Sequence, residues 1–226
     1  MLDISMIRVL LENAFFTVLS KPNGMSVHND TNSVAEWLTE QKKPLHFVNR
    51  LDRETSGLML IAYKPEFHQP LSECLEQGQK IYRALLCGSW KNQNQNSKSN
   101  NQSNSLEWSW PLTDQAEGFK NIQGLTADRK ECLSVVQLQR TNAYFSEVTV
   151  QIKTGRQHQI RKHAALHGQA IAGDNRYGNE KHNTRIAKLY PQSPPRLQLH
   201  AEKLSFRFQG QDYTISDPHF SLDHFF

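Results

Sequence analysis

Residues 49–63 of the chain read NRLDRETSGLMLIAY, a charged cluster followed directly by a continuous apolar run. The run Gly57–Tyr63 has the length of a strand and is apolar on both faces, which predicts a strand buried within a sheet. Asp52 lies just before it, between Arg50 and Arg53, and these cations favour the ionised form of its carboxylate. An ionised aspartate suits a nucleophile. The alternative is a turn held by a surface ion pair.

Patterns on both sides of this segment predict alternating strands and helices. Apolar or alternating runs predict strands at 14–20, 80–87, 133–139 and 145–152, and a hairpin from 197–208 and 211–215 around Gln209-Gly210. Apolar residues at helical spacing predict helices at 31–41, 65–76 and 156–167. Many strands with few helices indicate an α+β fold around a mixed, largely antiparallel sheet.

The composition is that of a soluble globular protein with a mild basic excess. The 226 residues are 37% hydrophobic and 21% charged, with a net charge of +4, which is compatible with a polyanionic partner. Three cysteines without a CxxC spacing indicate reduced thiols. Charged residues interrupt the apolar N-terminal stretch, so neither a signal peptide nor a membrane span is expected, and we predict a cytoplasmic protein.

One segment contains no apolar residues that could pack in a core. Residues 91–105 contain only Asn, Gln, Ser and two lysines, which predicts a mobile surface loop. We interpret it as a loop within a single domain that spans residues 1–226 rather than as a domain linker.

Two further segments carry candidate functional residues. Residues 153–163, KTGRQHQIRKH, collect basic and amide side chains at the predicted start of a helix, an arrangement that suits phosphate oxygens. The alternative is a solvated basic face. Tyr82 lies in the predicted strand KIYRAL with basic neighbours, and a tyrosine packed in the core is the alternative there.

The sequence does not predict a metal or a nucleotide cofactor. His163 and His167 are four residues apart on a predicted helix and His158 lies nearby, but no glutamate lies between them and no cysteine pair supports a site. Walker and GxGxxG loops do not occur in the sequence.

Taken together, the motifs resemble those of the RluA family of pseudouridine synthases. The resemblance covers nearly the whole chain, except the polar loop and the last residues. It is carried in order by LSKPNGMSVH (19–28), RLDRETSGLML (50–60), KIYRALLCG (80–88), TGRQHQIRKH (154–163), AIAGDNRYG (170–178) and RLQLHAEKLSF (196–206).

The resemblance implies a role for each matching residue. Asp52 matches the nucleophilic aspartate, Tyr82 the tyrosine that packs against the target base, and Arg161 the arginine that pairs with the aspartate. Arg50 matches an arginine that can enter the space left by the flipped nucleotide. The residues expected to contact RNA are Arg50, Arg53, Arg156, His158 and Lys162.

The implied fold is a long mixed sheet in two subdomains with a central active-site cleft. The implied partner is structured RNA, either ribosomal or transfer RNA, bound by a monomer without a cofactor. Asn49 departs from the pattern, because many relatives have histidine there. We also expect no separate RNA-binding S4 domain. Two other readings stay open: a noncatalytic RNA-binding protein with the same fold, and a metal-dependent nuclease that uses the histidines.

Overall fold

The computed structural model describes residues 6–28, 30–90, 104–115, 119–124, 128–191 and 196–226. Within these residues there are ten strands: β1 (Arg8–Glu12), β2 (Phe16–Lys21), β3 (His46–Phe47), β4 (Ser56–Ala62), β5 (Gln79–Cys87), β6 (Ser105–Trp108), β7 (Ser134–Thr141), β8 (Phe145–Ile152), β9 (Leu199–Phe208) and β10 (Gln211–Ser216). The helices are α1 (Val34–Glu40), α2 (Pro65–Gln77), α3 (Gln159–Leu166) and α4 (Glu180–Leu189).

The chain divides into two compact units. The first comprises Met1–Tyr82 with Leu199–Phe220, and the second Arg83–Gln198 with Ser221–Phe226. Strand β5 therefore begins in one unit and ends in the other.

In the first unit the strand order is β1-β2-β4-β9, with β3 beside β4 and β10 beside β9. The β4–β9 pair is parallel, while the other pairs in this unit are antiparallel. The prediction of a mixed, largely antiparallel sheet in an α+β fold is confirmed. At the parallel pair, Gly57 has a φ of +114°, and a side chain there would overlap the carbonyl oxygen of Ala201. Only glycine combines this backbone conformation with so close an approach.

The core of the first unit forms between its sheet and α2. Every residue of β4 is buried, as the continuous apolar run predicts. Leu71 and Leu75 of α2 pack against this face, because they lie one helical turn apart on the same side. Pro65 occupies the start of the helix, where its missing N–H costs nothing. Burial of a leucine side chain such as Leu71 or Leu75 contributes about 1.5–3 kcal/mol to the stability of the fold.

In the second unit the strand order is β5-β8-β7-β6. Strands β6, β7 and β8 form an antiparallel meander. Helix α3 begins three residues after Arg156, so Arg156 lies in the preceding loop rather than in the predicted helix. In the described part of the chain, no helix is long and apolar enough to cross a membrane.

Several elements were not predicted from the sequence. Strands β1, β3 and β6 are short, and α4 contains no buried residue. The predicted polar loop at 91–105 lies outside the described residues up to 103, and its last residue, Ser105, begins β6. The boundaries of the other predicted helices and strands agree with the structure within three residues.

Candidate active site

The loop that carries Asp52 is fixed to the strand that follows it. The side-chain amide of Asn49 donates to the carbonyl of Leu58 at 3.2 Å, and its oxygen accepts from the backbone N–H of Leu60 at 2.7 Å. The N–H of Thr55 donates to the carbonyl of Asp52 at 3.1 Å and closes a turn. Asn49 thus has a structural role that needs no charge, which accounts for an amide at this position.

Lys21 holds the same loop from the other side. Its side chain is fully buried, and Nζ donates to the carbonyl oxygens of Pro22, Met25 and Arg53 at 2.9–3.0 Å. Burial lowers the pKa of this amine to about 7, although the negative charges of Asp52 and Glu54 act in the opposite direction. Lys21 was quoted in the sequence motif without a role. The structure shows that it positions the backbone next to Asp52.

Tyr82 lies at the end of β5 that belongs to the first unit and is buried. Burial raises the pKa of its phenol, and the negative charge of Asp52 raises it further. The structure therefore brings Tyr82 into the electrostatic range of Asp52, with the phenol in its neutral form. A buried neutral ring beside a carboxylate can pack against a base and donate a hydrogen bond.

The two arginines next to Asp52 are exposed. Arg53 donates from Nε to the carbonyl of Gly24 at 3.0 Å and lies 3.3 Å from Asp30, while the Arg50 side chain is exposed to solvent. Both guanidinium groups are thus accessible to a large polyanion. Their contact with RNA stays a prediction.

In the second unit, Arg161 is buried and paired with Asp174. Its Nε lies 2.8 Å from Oδ2 and its Nη2 3.0 Å from Oδ1 of the same carboxylate. Burial alone would raise the pKa of Asp174, but the hydrogen bonds and the charge of Arg161 outweigh it and lower the pKa. The Arg161 guanidinium also lies 5.4 Å above the Tyr177 ring. Asp174 was missed as a site residue, although GDNRYG places an aspartate two residues before an arginine.

Lys162 does not fit its predicted role. Its side chain is fully buried, and Nζ donates to the carbonyl of Thr113 at 2.9 Å and to that of Gln115 at 2.7 Å. The prediction of a direct RNA contact through Lys162 is therefore corrected. Six consecutive residues of α3, at positions 159–164, are buried, so Lys162 points into the protein, where it binds the loop after β6.

Two other residues of this segment lie nearer the surface. Arg156 is partly exposed, with Nη1 3.4 Å from a carboxylate oxygen of Asp114. His158 adopts a left-handed conformation with φ 55° just before α3, and its Nδ1 lies 2.8 Å from the hydroxyl of Tyr177. Their predicted contact with RNA stays a prediction.

The histidines considered for a metal are engaged by other groups. His163 is buried between the hydroxyl of Ser134 and the carbonyl of Trp110, each 2.9 Å from a ring nitrogen, and burial lowers its pKa. His167 lies with its ring 5.4 Å from that of Trp108. Within the described ranges, no three His, Cys, Asp or Glu residues form a group that could hold a metal ion.

Comparisons with known proteins identify the family. The family model for RNA pseudouridylate synthase matches residues 16–166, which include Asp52, Tyr82 and Arg161. Ribosomal large subunit pseudouridine synthase C of Escherichia coli K12 is 31% identical over 210 residues, which cover 89% of this chain and 62% of that protein. The protein of the same name from Haemophilus ducreyi is 31% identical over 226 residues, covering 96% and 66%. The chain thus spans less than two thirds of the length of these relatives.

Two solved structures share the fold. Human RNA pseudouridylate synthase domain containing 1 superposes with a TM-score of 0.74 at 19% identity, covering 96% of this chain and 84% of that one. Human RNA pseudouridylate synthase domain containing 4 gives a TM-score of 0.70 at 20% identity, covering 94% and 89%. Because the family model covers well over half of the residues, the chain belongs to the RNA pseudouridylate synthase family.

Proposed function

We propose that the chain is an RNA pseudouridine synthase that isomerises uridines in ribosomal RNA, with Asp52 as the nucleophile. The observation that carries this proposal is that Asp52 and the buried, neutral phenol of Tyr82 lie within electrostatic range of each other inside the matched region. Ribosomal RNA is the favoured substrate because the curated relatives are named for the large ribosomal subunit. We further propose that the protein acts as a monomer in the cytoplasm and that transfer RNA is the second substrate to examine.

The reaction is an isomerisation, so the product contains the same atoms as the substrate. The N1–C1′ glycosidic bond breaks, the uracil turns, and a C5–C1′ bond forms while C5 loses its proton and N1 gains one. A uridine in structured RNA must first leave the stack before the Asp52 carboxylate can reach its glycosidic bond. The Asp52 carboxylate then acts as nucleophile or stabilises the sugar as the base departs, as carboxylates do in retaining glycosidases.

We assign the other candidate residues to positioning the uracil, the carboxylate and the flipped nucleotide during this step. Tyr82 offers a flat apolar face to the detached uracil and limits its motion. Arg161, whose Nε and Nη2 are fixed by Asp174, is proposed to orient the Asp52 carboxylate, and Arg50 is proposed to enter the space that the flipped nucleotide leaves. Precise positioning of this kind can supply several kcal/mol of the barrier reduction.

The experiment is Asp52→Asn assayed by release of tritium from C5 of uridine in unmodified large-subunit ribosomal RNA transcripts. Turnover should be lost while RNA affinity stays within several-fold of wild type, because phosphate contacts dominate binding. Glu54→Gln is the matched control, since it removes a neighbouring exposed carboxylate and should keep activity.

Two results would contradict the proposal. Tritium release by Asp52→Asn would remove Asp52 as nucleophile. A wild-type chain that binds the transcripts without turnover would favour the noncatalytic RNA-binding reading. Mapping of pseudouridine across the transcriptome of cells that lack the protein then identifies the target, and a lost site in transfer RNA would redirect the substrate assignment.

A further inference from the structure

Helix α4 carries a row of basic side chains that point away from the protein. Asn183, Ile186, Ala187 and Tyr190 are its least exposed positions, spaced as one helical face. Lys181, Arg185 and Lys188 are all exposed and, at 3.6 residues per turn, fall within an arc of about 60° on the opposite side. We call these three residues the α4 basic stripe.

The stripe is not balanced by acidic neighbours. Glu180, in the first turn, is the single acidic residue of the helix. Among the described residues, Lys181, Arg185 and Lys188 form no ion pair. Like charges three and four residues apart repel and weaken a helix. Basic side chains clustered along one helix face are the electrostatic pattern of a nucleic-acid contact, so these three cations suit an external polyanion.

The helix is firmly held beneath the stripe. Near its start, the side chain of Asn183 accepts from the N–H of Gly173 at 3.1 Å and donates to the carbonyl of Asp174 at 3.0 Å. At its end, the Tyr190 ring packs 5.8 Å from that of Phe145 and 4.9 Å from that of Phe225. The stripe is thus a fixed platform rather than part of a mobile loop.

The same contacts connect the stripe to the proposed site. Asn183 holds the carbonyl of Asp174, whose carboxylate holds Arg161. One hydrogen-bonded path within the second unit therefore fixes the position of the stripe relative to the Arg161 guanidinium. An RNA that contacts both the α4 basic stripe and Arg161 is held on the enzyme at two fixed points.

We propose that the α4 basic stripe is a docking surface for the phosphate backbone of the substrate RNA, outside the catalytic site. This inference rests on the proposed function for the identity of the polyanion. The stripe is about 10 Å long, because seven residues of a helix rise 1.5 Å each. Double-stranded DNA carries one charge per about 1.7 Å of its axis, and RNA also carries one charge per nucleotide, so several phosphates lie within reach of the three cations.

The test measures affinity for an unmodified large-subunit ribosomal RNA transcript as a function of KCl concentration. The variant is the triple Lys181→Gln, Arg185→Gln, Lys188→Gln, since glutamine keeps helix propensity and removes charge. Affinity should fall roughly tenfold, and the slope of log K against log salt should become shallower by about 2–3.

Two controls isolate the charge of the stripe. The triple Lys181→Arg, Arg185→Lys, Lys188→Arg keeps the charge and should bind as wild type does. The double Lys64→Gln, Arg207→Gln removes two exposed charges in the first unit and should leave the slope unchanged. Circular dichroism confirms that each variant keeps its helix content.

The outcomes separate this proposal from the proposed function. An unchanged slope in the glutamine triple overturns the docking surface, as does an equal loss of affinity in the charge-preserving triple. Displacement of the RNA by polyglutamate in wild type, but not in the glutamine triple, would assign the stripe to an acidic protein partner instead. Tritium release by the wild-type chain is measured in a separate assay. If that assay shows no catalysis, the salt dependence of RNA affinity still tests the docking surface.

Discussion

Arg161 and Asp174 form a buried ion pair in which two nitrogen atoms of one guanidinium meet the two oxygens of one carboxylate. The distances are 2.8 and 3.0 Å, and both side chains are almost wholly inaccessible to solvent. Asp174 is itself fixed, because its Oδ1 accepts from the backbone N–H groups of Arg176 and Tyr177. The orientation of the Arg161 guanidinium is therefore set by the loop before α4.

Asp174→Asn should destabilise the protein and impair the reaction together. Asparagine cannot balance the charge of the buried Arg161 guanidinium, and breaking a buried ion pair costs about 3–5 kcal/mol in the free energy of unfolding. The single-turnover rate should fall as well, because the guanidinium loses its fixed orientation. Chemical denaturation and tritium release measure the two effects.

The matched control for this variant is Asp212→Asn. Asp212 lies 3.5 Å from Arg207 in an exposed pair, so its loss should leave the free energy of unfolding nearly unchanged. Equal effects of the two substitutions would show that the buried pair does not support the second unit.

Tyr82→Phe tests the phenol separately from the ring. Burial and the charge of Asp52 raise the pKa of Tyr82, so the hydroxyl stays protonated through neutral and mildly alkaline pH. The single-turnover rate of wild type should show no inflection from Tyr82 between pH 7 and about 10, the ordinary tyrosine pKa. Tyr82→Phe should keep RNA affinity and the shape of this profile, while its rate falls by about 10²-fold if the hydroxyl transfers a proton. An alkaline inflection present in wild type and absent from the variant would contradict the neutral phenol.

Asp217 anchors a buried network in the first unit and predicts a pH dependence of stability. Its carboxylate accepts from Ser20 and from Arg8, and Nε2 of His200 lies 3.4 Å away. Burial by itself would raise its pKa, but the close approach of His200 and the hydrogen bond from Ser20 outweigh it and hold the pKa well below the usual range. A depressed aspartate pKa contributes stability that is fully present above about pH 4, the unfolded value, and is lost as pH falls toward the folded value.

Asp217→Asn should therefore lower the free energy of unfolding by about 3 kcal/mol at pH 7. The difference between wild type and variant should shrink as pH falls below about 4, because the unfolded wild type then takes up the extra proton. Urea denaturation at several pH values measures this, with the exposed Glu66→Gln as control. A difference that stays constant below pH 4 would contradict the assignment.

Activity should persist in excess EDTA without an added small molecule. His163 is bound to Ser134 and Trp110, and His158 to Tyr177, so these imidazoles serve the structure. A short hairpin substrate avoids an effect of chelation on the RNA fold. Activity that collapses on chelation and returns with a divalent ion would support the nuclease-like reading of the histidines.

The sequence predicted those elements whose residues show a strong local pattern. The run Gly57–Tyr63 is apolar throughout and corresponds to β4, and Gln209-Gly210 forms a turn in which both residues have positive φ. Helix α4 was not predicted because it buries no residue and contains only three apolar residues, Ile186, Ala187 and Leu189, too few to make its apolar face evident in the sequence. Strand β3 has only two residues, too few for any alternation to appear.

For the candidate site, the order of the sequence motifs identified the functional residues. It did not identify the residues that hold their side chains and backbone in position. Asp52 and Tyr82 were predicted and lie within electrostatic range of each other. Asp174 supports the site through its pairing with Arg161, and Lys21 supports it through hydrogen bonds to backbone carbonyls. The spacing of residues in the sequence predicts neither contact. Lys162 was misassigned because a basic run does not reveal which of its members points inward.

Among the residues that the structure describes, each unit contains one lysine whose side chain is fully buried, Lys21 in the first and Lys162 in the second. An amine-reactive reagent should therefore leave both unlabelled in the native protein, while exposed lysines react at once. Labelling of either residue requires local opening of the unit that contains it. Mass spectrometry of the two peptides over time gives separate opening rates for the two units, without any engineered reporter.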